Sequence, residues 1–333
     1  MKKEQFTFID LFAGIWGFRI ALQELWWKCL FSSEINTECA KIYASNFWEY
    51  PSWDITKIEP SIIPDHDIIS AWFPCQPFSI SWKMKWFEDT RWTLFFNILE
   101  IIKEKQPKVV FLENVKHLKD HNKKQTLKTI IQHLEELGYK TEWAVLNAKD
   151  FWLSQNRERI IIVWNKDYRF NFNNIQKKEE RPISDILQME ANFDFLNPNE
   201  YTILPKQLWK KQRSWLIFCW YRNKSIRTIW VRPNTEHLSR VHKQPNRIYH
   251  IDGTHPTIPS QESAWRFFIY DWENVRKLTL LECFRLQWFP DNYIKSISSW
   301  VCYRQIWNSV AIPMIKEVAK EFLLQFNLTK NES

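Results

Sequence analysis

Glycine is nearly missing from this 333-residue chain: it has four, where an average protein carries about 7%. Glycine supplies left-handed backbone in tight turns and lets a chain approach a ligand closely. A chain this poor in it must make its turns with something else. Long apolar runs are missing too. No stretch approaches the roughly 20 residues of a membrane-spanning helix, and the opening M-K-K-E-Q-F-T-F has no secretory apolar core. The six cysteines (Cys29, Cys39, Cys75, Cys219, Cys283, Cys302) show neither a C-x-x-C pair nor zinc-ligand spacing, which points to a reducing cytoplasm and no structural metal. Tryptophan is in excess, with 21 residues. The apolar and charged shares, 45% and 25%, are those of a soluble globular protein, and the net charge of +8 permits a polyanionic partner without requiring one.

The first half alternates apolar, strand-like runs with amphipathic stretches. Runs at 6–12, 28–35, 66–73 and 108–115 read as buried parallel strands, and 142–148 and 159–164 continue the set. Helical patterns lie between them, notably at 93–105 and 124–137. This alternation predicts an α/β fold with a doubly wound parallel sheet, with Asp10, Glu34 and Glu113 at strand C-terminal ends, where such sheets bind ligands. From about 181 to 272 the runs are short, irregular and rich in Arg, Lys, Asn and His. That predicts a smaller loop-rich domain with a basic face, although such a charge run is as commonly a solvated surface. The expected division is 1–183, 184–272 and a returning segment, 273–333. Residues from 276 read as helical, and 308–327 as a terminal helix.

Several short motifs carry chemistry. F-I-D-L-F-A-G-I-W-G-F-R (8–19) reads as a strand, a tight turn and a helix, the place where α/β enzymes cradle a nucleotide-like cofactor. A-W-F-P-C-Q-P-F-S (71–79) sets Cys75 between two prolines after a strand. A lone cysteine is usually a small buried hydrophobe, but one in a rigid polar loop is a better nucleophile candidate. E-N-V (113–115) ends the neighbouring strand, where a lone Glu is most often solvated. Q-N-R-E-R (155–159) alternates Arg157 and Arg159 around Glu158, so both arginines can face one side.

In this order the motifs resemble the bacterial DNA cytosine-5 methyltransferases of restriction-modification systems, over nearly the whole chain. D-L-F-A-G-I-W-G, P-C-Q, E-N-V, Q-N-R-E-R, R-K-L-T-L-L-E-C and Q-I-W-N-S-V are similar to successive family blocks, and 184–240 is the variable part. The resemblance implies a Rossmann-like S-adenosylmethionine-dependent methyltransferase sheet with a target-recognition domain. It implies Cys75 as nucleophile on carbon 6 of cytosine, Glu113 as proton donor to ring nitrogen 3, Arg159 on the base carbonyl and Arg157 supporting the site.

For S-adenosylmethionine it implies a wrap by Phe12, Ala13, Gly14, Ile15, Trp16 and Gly17, with Phe12 against adenine. Glu34 and Ile35 lie at the ribose, Asp54 and Ile55 at the adenine, and Pro74, Leu94, Asn308 and Val310 elsewhere on the pocket. No metal is implied. The partner is double-stranded DNA, from which the target base is flipped out; Ser79, Arg247 and Thr257 then lie on phosphate, and Gln244 fills the space the base leaves. The resemblance further suits a monomer and leaves room for a cognate restriction endonuclease acting separately. Two rival readings are an RNA cytosine-5 methyltransferase on the same scaffold and a catalytically decayed DNA-binding relative.

Where the family has glycine, this chain has tryptophan at positions 16, 53, 72, 82, 86, 92, 152, 288 and 307. Nine such replacements, at about 1–3 kcal/mol of overpacking each, exceed the roughly 5–15 kcal/mol of a domain's stability. The uniform substitution is explained if UGA codons, read as glycine by the source organism, stand at these positions. Trp143 and Trp209 suit their surroundings as tryptophan.

Overall fold

The computed structural model describes residues 5–73, 92–223, 247–258, 268–293 and 299–331. Its centre is a six-stranded sheet built from β1 (Thr7–Leu11), β2 (Lys28–Ser33), β3 (Ile68–Trp72), β4 (Val109–Val115), β5 (Lys140–Asn147) and β7 (Glu158–Asn165), in the order β2-β1-β3-β4-β7-β5. Apolar residues fall in register across it, Ile9 beside Ile69, Ile69 beside Val110 and Val110 beside Trp164. Both faces are covered, as the near-continuous apolar strands require. Helices α1 (Gly17–Gln23), α2 (Thr37–Phe47) and α7 (Ile312–Asn331) pack one face through Phe18, Tyr43 and Phe322. Helices α3 (Trp92–Lys105) and α4 (Gln125–Glu135) pack the other through Phe95, Ile98 and Ile130.

The sheet departs from the sequence reading at one strand. β1, β2, β3 and β4 are mutually parallel, but β7 runs antiparallel to both β4 and β5. The link from β5 to β7, residues 148–157, is too short for a parallel crossover, which takes about a dozen residues or more. It instead carries the short strand β6 (Gln155–Asn156).

A second sheet, ordered β13-β12-β10-β9-β8, joins β8 (Lys210–Lys211), β9 (Ile217–Tyr221), β10 (Arg247–His250), β12 (Phe268–Tyr270) and β13 (Val275–Lys277). It encloses its own small core of Cys219, Ile248, Phe268 and Val275. Between them, β11 (His255–Pro256) pairs with β6, which brings this region against the first sheet's active edge.

Two helix expectations also shift. Residues 276 and 277 are strand, and α5 (Leu280–Arg285) starts only after Thr279. There Thr279 Oγ1 accepts from Glu282 N while the Glu282 carboxylate accepts from Thr279 N, a reciprocal cap that fixes the start. The terminal helix expected over 308–327 is α7 (Ile312–Asn331), and a separate helix, α6 (Ser299–Asn308), precedes it. Pro313 is tolerated in the first turn of α7 but would break one continuous helix.

Candidate active site

β1 delivers the chain to a turn in which Phe12, Gly14 and Trp16 all have left-handed backbone, with φ of 55°, 58° and 64°. The turn is fastened to β2: Ala13 N donates to Ser33 O at 3.0 Å, and Gly14 N to Glu34 Oε2 at 2.7 Å. The other Glu34 oxygen accepts from Asn36 N at 2.7 Å. Burial raises the Glu34 carboxyl above its ordinary range, and these amide contacts oppose the rise. Beneath the turn Asp10 is fully buried. Burial pushes its carboxyl up to about 8, against a hydrogen bond from Ser70 and the charge of Arg19.

A cavity of about 220 Å³ opens above the C-terminal ends of β1, β2 and β3. Of the residues expected at a cofactor, Phe12, Gly14, Ile15, Glu34, Ile35, Asp54, Ile55, Leu94 and Asn308 line it. Ala13 holds the turn through its backbone instead. Gly17 opens α1 so close to Val310 that a Cβ there would lie 2.5 Å from Val310 Cγ2, so these two shape the floor by contact. Trp16 faces away from the cavity into the core, its ring 4.0 Å from Tyr43 by centroid and its Nε1 without a partner among the described residues. Pro74 lies outside the described residues.

The acid and the arginines come together two strands away. Glu113, on β4, is fully buried, and Arg159 Nε stands 3.1 Å from its Oε1 with 4% of that side chain exposed. This is an ion pair; no hydrogen bond reaches either Glu113 oxygen among the described residues. Burial raises the Glu113 carboxyl, and the charges of Arg159 and then Arg157 oppose the rise. Arg157 is also fully buried. Its Nη2 donates to Trp307 O at 2.8 Å and to Ser309 O, so it ties β7 to the end of α6. Burial, then the charge of Arg159, holds its guanidinium well below the usual value. Both guanidinium carbons lie over the Trp307 ring, at 5.3 and 4.9 Å, so the two arginines do share a face, while Glu158 turns out to Lys116 at 2.8 Å.

Cys75, Ser79 and Gln244 lie outside the described residues. Asn114 points toward the cysteine's segment: its Nδ2 donates to Phe73 O at 2.9 Å, two residues before Cys75. On the expected DNA side, Arg247 begins β10 with its guanidinium carbon 5.8 Å from the Phe218 ring. Thr257 spends its hydroxyl proton on Asn156 O at 2.7 Å. Sequence reasoning gave Asn114 no role of its own, and it missed Ser33 and Gln305, which line the cavity. E-N-V pointed to the first, and Q-I-W-N-S-V, which opens at Gln305, to the last; a lone Ser carries no signal.

The family model for C-5 cytosine-specific DNA methylases matches residues 6–323. The chain is 40% identical to the Type II methyltransferase M.HpaII of Haemophilus parainfluenzae, over 96% of this chain and 90% of that one. It is 37% identical to M.HhaI of Haemophilus parahaemolyticus, over 96% and 95%, and 35% identical to M.DsaV of Dactylococcopsis salina, over 100% and 90%. In fold it is similar to the S. pombe Dnmt2 methyltransferase, with a TM-score of 0.69 at 16% identity over 97% of this chain and 99% of that one. The Entamoeba histolytica methyltransferase EhMeth gives a TM-score of 0.67 at 17% identity over the same shares. The chain therefore belongs to the C-5 cytosine-specific DNA methylase family, and it is a DNA (cytosine-5)-methyltransferase.

Proposed function

We propose that this methyltransferase works on a cytosine flipped from duplex DNA, through a covalent Cys75 adduct and with S-adenosylmethionine as donor. The observation that carries the reading is the fully buried Glu113–Arg159 pair, beside a strand end that Asn114 ties to the Cys75 segment. Carbon 5 of cytosine is a poor nucleophile. Addition of the Cys75 thiolate to carbon 6 makes the ring an enamine, provided ring nitrogen 3 takes a proton. Burial keeps Glu113 protonated further up the pH range than an ordinary carboxyl, which suits it to give that proton. Arg159 then balances charge at the base carbonyl, and Arg157 holds the arginine edge against α6. Carbon 5 takes the methyl group, loses its proton and expels Cys75.

The cavity fits the donor. Each Glu34 oxygen uses one lone pair on a backbone amide and keeps another for a ribose hydroxyl. Phe12, Ile35 and Ile55 offer apolar surface for adenine, and Ser33 Oγ is buried without a partner among the described residues. When bound, S-adenosylmethionine supplies a methyl group on a sulfonium. The test is Cys75→Ser in the native protein: methyl transfer is lost while duplex binding stays, because phosphate contacts supply most of the affinity. Near-normal turnover refutes the adduct.

Four strands of the second sheet, β8, β9, β10 and β12, fall within the proposed target-recognition domain, 184–272, with β13 just beyond it; Arg247 and Thr257 lie on phosphate beside Ser79, and Gln244 in the vacated stack. The Type II methyltransferase names of the relatives support a modification role, with any cognate endonuclease acting separately; the same proposal takes the protein as a cytoplasmic monomer.

The same reading requires a working donor turn, and here the tryptophans matter. Thirteen described non-glycine residues have left-handed φ, and eight of them are tryptophan: 16, 26, 48, 152, 215, 220, 272 and 288. Left-handed backbone costs a side-chain-bearing residue roughly 1–2 kcal/mol, so eight sites cost about as much as a domain's whole stability. Trp48 caps the C-terminus of α2, and Trp152 follows a helical turn, positions that glycine ordinarily takes. Trp209, expected to be genuine, has φ −66° and donates Nε1 to Leu204 O at 2.7 Å. These observations support glycine, from UGA codons, at the left-handed positions. Peptide mass spectrometry of the native protein tests it; tryptophan at residues 16 and 48 in active enzyme refutes it.

A further inference from the structure

We propose that Asn147 is a positioning residue for Arg159, acting through its hold on the start of β7. The ladder between β5 and β7 ends with Leu146 opposite Arg159 and Asn147 opposite Glu158. The next pair would be Ala148 with Arg157, and half of it forms: Ala148 N donates to Arg157 O at 2.9 Å. The return bond goes to a side chain instead. The chain leaves the strand for a 3₁₀ turn, Ala148–Phe151, and Arg157 N donates to Asn147 Oδ1 at 3.0 Å. The same oxygen accepts from Lys149 N at 3.3 Å and so caps that turn. With Oδ1 used on two N–H groups, the amide nitrogen is left to face Asn156, and Nδ2 donates to Asn156 Oδ1 at 2.7 Å. One side chain thus holds two consecutive residues, 156 and 157.

What those residues carry gives the hold its consequence. Arg157 is fully buried and reaches the carbonyls of Trp307 and Ser309. Arg159, two residues on, meets the buried Glu113 at 3.1 Å. Both side chains are closely packed, so a shift of the backbone at 157 carries them off their partners. The other side of the same segment is held from the second sheet's region. His255 N donates to Ser154 O, and Thr257 Oγ1 to Asn156 O, both at 2.7 Å, beside the pairing of β11 with β6. Residues 154–157 are therefore gripped by 254–257 on one side and by Asn147 on the other. Without Asn147 the grip is one-sided, and the arginine edge follows the second sheet. Asn147 is not part of the cavity lining, so its loss bears on the arginines and not on binding of the methyl donor. A displacement of about 1 Å in a catalytic group costs on the order of 10²-fold in rate.

The inference rests on Arg159 acting at the base, and the test separates the two. Turnover on duplex DNA, duplex binding and S-adenosylhomocysteine binding are measured on the native protein, Asn147→Ala, Asn147→Asp, Arg159→Met and the double variant of Asn147→Ala with Arg159→Met. Normal turnover in Arg159→Met overturns the reading of Arg159 itself. If Asn147 positions Arg159, Asn147→Ala lowers kcat by about 10- to 100-fold and leaves both affinities within about twofold. Asn147→Asp keeps an acceptor for Arg157 N and, with the Asn156 amide turned round, keeps the second bond too, so it restores most of the rate. Added to Arg159→Met, Asn147→Ala lowers kcat by no more than about a further twofold, because the residue it serves is gone. Full multiplication of the two losses overturns the proposal, as does a lowered thermal midpoint with unchanged kcat, which assigns Asn147 a structural role. If Asn147→Ala fails to fold, Asn156→Ala cuts only the Nδ2 bond and enters the same cycle; it lowers kcat by about 2- to 10-fold, and an unchanged kcat overturns the proposal.

Discussion

Replacing Arg159 by methionine isolates what the buried ion pair does. Arg159 Nε lies 3.1 Å from Glu113 Oε1, and their attraction at that distance is on the order of 5 kcal/mol for an effective dielectric constant near 20. Losing one partner of a buried pair ordinarily costs about 3–5 kcal/mol, because a bare charge is left behind. Glu113 has an escape: burial already raises its carboxyl, and without its main opposing charge it stays protonated to higher pH still. Its folded pKa is above its unfolded one, so the stability it contributes is complete below the ordinary carboxyl range and falls as pH rises through the folded value. In Arg159→Met that fall continues to higher pH, at up to about 1.4 kcal/mol per pH unit. The variant is thus only mildly destabilised in acid and increasingly so toward alkaline pH. Methyl transfer drops about 10²- to 10³-fold through loss of the contact at the base carbonyl. The alkaline limb of kcat/KM, set by protonated Glu113, moves to higher pH. Urea denaturation across pH and the pH–rate profile on duplex DNA measure both effects. An unmoved alkaline limb, or one moved downward, refutes the role given to Glu113.

The remaining predictions concern the floor of the site and its DNA side. Asp10→Asn fixes the neutral form of a carboxyl raised from 3.8 to about 8. Wild-type stability therefore falls between those values while the variant's does not, which leaves the variant ahead by on the order of 4 kcal/mol at pH 7; parallel pH profiles in urea denaturation contradict this. Gly17→Ala sets a Cβ 2.5 Å from Val310 Cγ2, and Gly253→Ala sets one 2.6 Å from Trp215 O. Each loses about 1–3 kcal/mol, and only Gly17→Ala also weakens S-adenosylhomocysteine binding, as thermal melts with and without ligand will tell. Exchanging residues 184–272 with a relative's moves the methylated sequence and leaves the chemistry, since Cys75, Glu113 and Arg159 stay behind. Bisulfite sequencing reads the outcome, and an unmoved site in an active chimera places specificity elsewhere.

Strand positions and the catalytic motifs were legible because each rests on local pattern. Apolar runs mark buried strands, and E-N-V and Q-N-R-E-R put Glu113, Arg157 and Arg159 at strand ends that the sheet then brings together. Direction was less legible: the apolar run of β7 looks the same read either way, and only the short link behind it makes it antiparallel. The terminal helix was legible to about one turn: it starts at Ile312, with Pro313 in its first turn, where 308 was expected. Gln305 opens the Q-I-W-N-S-V block, but its burial beside the cavity, without a partner among the described residues, is a property of the fold and not of its neighbours in sequence.

The tryptophans show how backbone and family pattern constrain each other. Family glycines at 16, 152 and 288 coincide with left-handed φ, those at 53, 72 and 307 do not, and 26, 48, 215, 220 and 272 were found by φ alone. Packing does not explain the last group uniformly. Trp26 and Trp48 are 83% and 92% exposed, so they bury too little to repay a left-handed backbone. Trp16 is the opposite case: it is fully buried, but its Nε1 has no partner among the described residues and its ring fills space beside Tyr43. Exposed and buried sites share only the sign of φ. A packing demand would select tryptophan at buried positions and not at exposed ones, whereas a backbone demand selects glycine at both. The single cause that covers all eight sites is therefore conformational, and it supports the proposal that glycine stands in the turn that carries Phe12 and Gly14.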